Sequence, residues 1–111
     1  MFRSMKIVLL VIAAIFCSSV SANSPFSTTT INGITVHDHG NVIIIRLADN
    51  VSNGEGCSIN NQLVVEKTHP FFKEMYSALL SAFHTGTKIH GWVKTCYSWD
   101  MPILTRLDMK K

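Results

Sequence analysis

The imidazoles are the first chemistry to weigh, since the chain carries five histidines in 111 residues. His37, His39 and His90 could supply three nitrogen ligands, the number a zinc ion takes at an open site. They meet only if the strand ending near His37 lies antiparallel to the strand beginning near His90. Against a metal stand the turn composition of Asp38-His39-Gly40, the outward strand position of His90, and the lack of a ligand-spaced acid. No metal and no cofactor are therefore expected. Catalytic groups are equally hard to assemble. There is no Gly-x-Ser-x-Gly elbow, and the acids Asp38, Asp49, Glu55, Glu66, Glu74, Asp100 and Asp108 fall on separate elements. Asn53-Gly-Glu-Gly56 is too short for a phosphate loop and lacks the following Lys-Ser. The chain does not read as an enzyme.

Aromatic residues carry more information. Trp92, Tyr97 and Trp99 lie within eight positions, with Asp100 next to them. If Ile89, Gly91 and Val93 point into a core, Trp92 stands outside between His90 and Lys94, because successive strand residues face opposite ways. Likewise Ile43, Ile45 and Leu47 would fill the interior and leave Ile44 outside with Arg46. Rings gathered on one strand and its loop suit sugar faces and protein interfaces alike. Trp92, Tyr97, Trp99 and Asp100 thus form the expected ligand or partner surface.

The ends and the cysteines define the setting. Met1 to Lys6 carries Arg3 and Lys6 and no acid, Ile7 to Phe16 is apolar, and Cys17 to Ala22 is small and polar. That is the order of a secretory signal peptide over residues 1–22, with cleavage after Val20-Ser21-Ala22. Its ten-residue apolar run is half the length of a membrane span, which needs about twenty. Removing it leaves 89 of 111 residues, one small domain. It also removes two basic residues, so eight basic and seven acidic residues remain and the net charge falls from +3 to +1. A near-neutral domain offers no clustered charge for nucleic acid or an anionic membrane. Of the three cysteines, Cys17 leaves with the signal, and Cys57 and Cys96 are expected to pair as a disulfide in an oxidising, secreted or periplasmic setting.

The elements follow from periodicity and punctuation. Residues 23–30 are Ser/Thr-rich and aperiodic, and read as a flexible leader ahead of a domain over 31–111. Alternation predicts a hairpin of strands at about 31–37 and 42–48 around Asp38-His39-Gly40-Asn41. After the polar loop Asp49–Gly56, a third strand lies within Ser58–Lys67. Phe71, Phe72, Met75, Tyr76, Leu79, Leu80 and Phe83 make one wide apolar stripe on a helix, with Pro70 in its first turn, Thr68 or His69 as N-cap and Gly86 as its left-handed stop. Lys88–Lys94 and Ile103–Met109 are the last two strands. The order β-β-β-α-β-β is that of a five-stranded OB-fold barrel, mainly β with one helix. An open α+β sheet with the helix on one face has the same order. In the barrel, the start of strand three and the end of strand four share one end, where Cys57 and Cys96 stand.

Cys57, the segment His69-Pro-Phe-Phe-Lys-Glu-Met-Tyr-Ser-Ala-Leu-Leu-Ser-Ala-Phe83, Gly86-Thr-Lys88, Cys96-Tyr-Ser-Trp99 and Pro102-Ile-Leu-Thr-Arg-Leu107 together resemble small exported bacterial OB-fold proteins, notably the receptor-binding B subunits of AB5 toxins of the subtilase-cytotoxin and pertussis-like kinds. The resemblance spans roughly Ile34 to Met109 and implies a ring-forming module that binds a glycan or a protein. It transfers no individual sugar-contacting residue. The expectation is a non-catalytic exported binding module, possible as a homo-oligomer. The alternatives are an oligonucleotide-binding OB domain, which the charge disfavours, and a small secreted inhibitor or envelope protein.

Overall fold

A computed structural model describes residues 23–110; the signal peptide expected over residues 1–22 lies outside them. Six strands and one helix follow in the order β1 (Ser24–Thr29), β2 (Ile31–His37), β3 (Val42–Leu47), β4 (Gln62–Glu66), α1 (Phe72–Thr85), β5 (Ile89–Cys96) and β6 (Pro102–Met109). The strands form one sheet in the order β1-β5-β6-β4-β3-β2. Every neighbouring pair is antiparallel except β4 and β6, which are parallel. No helix among the described residues is long and apolar enough to cross a membrane.

The fold is mainly β with a single described helix, as the periodicity indicates, but two expectations are corrected. The sheet has six strands rather than five, and it is not closed into a barrel by hydrogen bonds. The sixth strand is the segment 23–30 expected as a flexible leader. β1 pairs with β5, with Ser24 opposite Val93 and Phe26 opposite Gly91. Phe26 and Thr29 are buried. The hydroxyls that make the segment look like a linker are its fasteners. Ser24 Oγ donates to Glu55 (2.8 Å) and accepts from the Gly54 amide (3.1 Å), and Ser27 Oγ accepts from the Ser52 amide (3.0 Å). Thr29 Oγ1 donates to Asp49 (3.2 Å), and the Ser27 amide donates to Ser52 O (3.1 Å). The loop between β3 and β4 thus runs along β1 and satisfies its outward polar groups, while Val51 from the same loop enters the core. β1 passes into β2 through Thr30 alone, so the two edge strands of the sheet are consecutive in the chain.

Strand alternation sorts the side chains into two faces. On the inner face, Phe26, Ile43, Ile45, Leu63, Val65, Ile89, Val93 and Leu104 pack with Met75, Leu79 and Ala82 of α1. Burial of an aliphatic side chain of this kind stabilises by about 1.5–3 kcal/mol, which makes this cluster the main source of cohesion. The helix begins two residues after Pro70 rather than at it. Phe71 occupies the N-cap without a side-chain cap, and the preceding turn is closed by His69, whose Nδ1 accepts from the Phe71 amide (3.0 Å) and whose carbonyl accepts from the Phe72 amide (3.0 Å). Gly86 ends it in the left-handed region (φ 68°), where the Thr87 amide reaches back to Ala82 O (3.1 Å).

The outer face carries a second apolar cluster of Val42, Ile44, Val64, Met101 and Ile103, with Tyr97 and Trp99 packed against it. Ile44 therefore does not stand in solvent beside Arg46 as the alternation alone suggests. The connection from β5 to β6 folds back over it. Cys57 and Cys96 form the expected disulfide (S–S 2.03 Å, Cα–Cα 5.6 Å), joining the loop ahead of β4 to the last residue of β5.

Candidate functional site

The hairpin turn between β2 and β3 is where the two faces of the sheet meet. Asp38 O accepts from the Asn41 amide (3.3 Å), and the turn is completed by left-handed Gly40 (φ 86°) and Asn41 (φ 53°). Asparagine tolerates that region better than most residues. Asn41 O in turn accepts from the Lys67 amide (3.2 Å), which fixes the chain leaving β4 against the turn. Two surfaces flank it.

On the inner side a cleft of about 340 Å³ opens between the hairpin and the first turns of α1. Val36, Val42, Ile43, Phe72 and Tyr76 supply its apolar wall, and His37, Asp38, Asn41 and Lys67 its polar groups. The Phe72 and Tyr76 rings, one helical turn apart, have planes within 4° and centroids 6.2 Å apart, so both faces share one orientation. Lys67 enters no ion pair among the described residues, whereas Lys94 lies 3.7 Å from Glu66 and Arg106 lies 3.2 Å from Asp108. The cleft therefore combines aligned aromatic faces with an ammonium, a carboxylate, a carboxamide and an imidazole, each able to donate or accept hydrogen bonds.

On the outer side the rings of Tyr97, Trp99, His37 and His39 lie together. Trp99 is stacked on His39 (6.1 Å between centroids, 13° between planes), is 5.3 Å from His37, and meets Tyr97 edge-on at 5.2 Å. The His37 Nδ1 accepts from the His39 amide (3.2 Å), and Tyr97 OH reaches Gly40 O at 3.5 Å. His37 belongs to both surfaces, as a member of this ring group and of the cleft lining.

The residues expected as one surface are thus divided. Tyr97, Trp99 and Asp100 share a single segment, but much of the Tyr97 and Trp99 ring area covers the outer cluster rather than facing a ligand. Trp92 stands apart, half-buried between Pro25 of β1 and Arg106 of β6, and joins no aromatic pair among the described residues. The grouping of His37, His39 and His90 does not form. β5 is paired by β1 instead of by the end of β2, with Thr29 beside Ile89, and His37 lies eight residues further along the chain. His90 faces Asp108 (3.9 Å) six residues before Cys96, about 20 Å along the strand from the end that carries the aromatic segment. Among the described residues, the three potential metal-ligating groups that do converge are Cys57, Cys96 and Asp100, and the disulfide removes both thiolates from that set.

Sequence reasoning placed Phe72 and Tyr76 in a core stripe and did not single out Val36, Asn41 or Lys67. One signal was present: the helix has more apolar positions than one face can bury. Met75, Leu79 and Ala82 are buried, while Phe71 is 62% exposed and Phe83 39%. No protein-family model matches the chain, and neither a curated protein nor a solved structure is significantly similar to it.

Proposed function

We propose that this protein is an exported, non-catalytic binding module that recognises a glycan in the cleft between the β2–β3 turn and α1. The observation that carries this reading is the pairing of the aligned Phe72 and Tyr76 rings with Asp38, Asn41, His37 and Lys67 around one cavity. A pyranose ring has an apolar C–H face and a rim of hydroxyls. The first is matched by aromatic faces and the second by mixed donors and acceptors. A volume of about 340 Å³ lies at the small end of ligand pockets, suited to one terminal sugar with its neighbour in solvent.

An OB-like reading of the sheet supports this placement. β2, β3, β4, β5 and β6 follow the OB strand order, and β1 with β2 act as the two halves of one bent strand interrupted at Thr30, which brings the sheet's edges together. The cleft then lies at the mouth of the barrel-like sheet, a common ligand position. The B-subunit-like assembly implied by the toxin resemblance belongs to the same proposal. Exposed Val36 (70%) on the unpaired edge strand β2 favours a protein contact there, including a second copy.

Glycan-array screening of the secreted protein, followed by calorimetry on the best ligand, tests the reading. Tyr76→Ala is expected to weaken binding about tenfold or more, equivalent to about 1.4 kcal/mol, and Trp92→Ala to leave it unchanged. Binding that is lost with Trp92 and indifferent to Tyr76 would move the site to the outer face of β5, and the absence of any glycan ligand would sink the proposal. Sedimentation of the same sample reports the oligomeric state, and its N-terminal residue, expected to be Asn23, reports signal cleavage.

A further inference from the structure

Both faces of the sheet are apolar, but regular structure covers only one. The inner face is closed by α1, whereas Val42, Ile44, Val64 and Ile103 on the outer face lie under the five-residue segment Tyr97–Met101. That strap is fastened by bonds at its two ends, while the Tyr97 and Trp99 rings between them rest on the outer cluster and the β2–β3 turn. At the start stands Cys96, bonded to Cys57. Near the finish stands Asp100, whose carbonyl accepts from the Ile59 amide (3.1 Å) and whose carboxylate accepts from Ser58 Oγ. Thr95 (φ 36°) and Asp100 (φ 63°) are both left-handed, and a β-branched residue in that region persists only where its surroundings hold it there. The strap thus follows a strained residue, Thr95, at the end of β5 and carries a covalent clasp at its start.

We propose that the Cys57–Cys96 disulfide is a redox latch, opened by a dithiol reductant, whose opening lifts the strap and uncovers the outer apolar face while the sheet stays folded. Cys57 is 5% exposed and Cys96 is half-buried, so the reductant's thiolate attacks Cys96 Sγ. A mixed disulfide forms there, and the Cys57 sulfur leaves as a thiolate that takes a proton from solvent. The reductant's second thiolate then attacks its own sulfur in the mixed disulfide, closes the reductant's disulfide, and releases the Cys96 thiolate, which is protonated in turn. Two electrons and two protons pass to the protein. Opening interrupts little of the sheet, because Cys57 precedes β4 and Cys96 contributes only the terminal pairing with Pro102.

Asp100 governs how readily this happens. A carboxylate oxygen of Asp100 lies within 4.8 Å of both sulfurs, so its negative charge repels an incoming thiolate. Asp100→Asn keeps the hydrogen-bonding shape and the tolerance of positive φ while removing the charge. For charges about 5 Å apart in water, reduction of this variant at low ionic strength is expected to be about fourfold faster than that of the unmodified protein. The difference narrows as salt is added.

The test uses the oxidised full chain titrated with dithiothreitol, and its readouts need no ligand. Expected are two titratable thiols per chain, unchanged far-UV circular dichroism, a rise in anilinonaphthalene sulfonate emission, and loss of hydrogen-exchange protection at the Ile59 amide, whose acceptor is Asp100 O of the strap, with β3 and β4 still protected. Loss of the circular dichroism signal in step with thiol release overturns the proposal, since the bond would then hold the whole fold. So does retained protection of the Ile59 amide after full reduction. Equal reduction rates for Asp100→Asn and the unmodified protein at low salt overturn the guarding role of Asp100.

Discussion

Gly91→Ala is expected to destabilise the protein by about 2–3 kcal/mol, a large effect for one methyl group. Gly91 is buried in the middle of β5, opposite Phe26 on one side and Leu107 on the other. A Cβ built there overlaps the carbonyl oxygen of Arg106 and stands 2.9 Å from its carbonyl carbon and 3.2 Å from Leu107 Cα. Ordinary carbon contacts are about 3.5–4.0 Å. All three atoms are backbone, so no rotamer change relieves the overlap and β6 itself must retreat. β6 is poorly placed to do so, because it also pairs with β4 through Val64 and Ile103 and sends Leu104 into the core. Overpacking costs about 1–3 kcal/mol where side chains can yield and more where backbone must move, about 3–4 kcal/mol here, and reduced freedom of the unfolded chain offsets about 0.5–1 kcal/mol of that. For a domain of this size each kcal/mol shifts Tm by about 4–8 °C, which puts the expected fall near 10–20 °C. Gly33→Ala is the matched control. Its Cβ would find only Arg46 side-chain carbons, at 3.6 and 3.8 Å, and its effect is expected within about 0.5 kcal/mol. Thermal and urea unfolding followed by circular dichroism measure both variants. A Gly91→Ala protein melting within a few degrees of the parent would show that β5 and β6 are not packed as closely as described.

Phe26→Ala separates a structural β1 from a loose leader: loss of about 3–5 kcal/mol is expected for a buried aromatic, against nearly none for a residue in a mobile tail, and chemical denaturation distinguishes the two. Replacing both Cys57 and Cys96 by serine should lower stability by about 4 kcal/mol, from the chain-entropy cost of a closed loop with a sequence separation of 39, with a native-like far-UV spectrum retained. A loss much larger than that would assign the bond a role in holding the sheet together.

What could be read from the sequence follows the range of the forces involved. The helix, its glycine stop and the first hairpin depend on contacts a few residues apart, and periodicity captures those. The cysteine pair was legible by counting alone. β1 was not, because its stabilising partners lie far along the chain: Ser24 bonds Glu55, Thr29 bonds Asp49, and Phe26 crosses Gly91. Its own alternation is also broken, since the pairing register with β5 shifts between Phe26 and Thr29. A strand with a bulge and polar side chains looks like a linker until its partners are placed.

The aromatic segment illustrates a second limit. Strand alternation puts Ile44 on the face away from the helix, where the structure adds Val42, Val64 and Ile103, and treating that face as solvent-exposed makes Tyr97 and Trp99 look like free ligand contacts. They cannot be free while four buried aliphatic side chains lie beneath them. An apolar outer face must be covered, and the connection that follows β5 is near enough in space to do it once Cys96 is clasped to Cys57. Much of the ring surface that suggested recognition is thus used in folding. Under the proposed reading, recognition falls to the side of the hairpin turn where Phe72 and Tyr76 are not fully buried. His37 links the two, with its ring against Trp99 and its place in the cleft lining. A strap that lifts would therefore remove Trp99 from His37 and alter one lip of the cleft, so the disulfide that secures the outer face also helps set the shape of the candidate site.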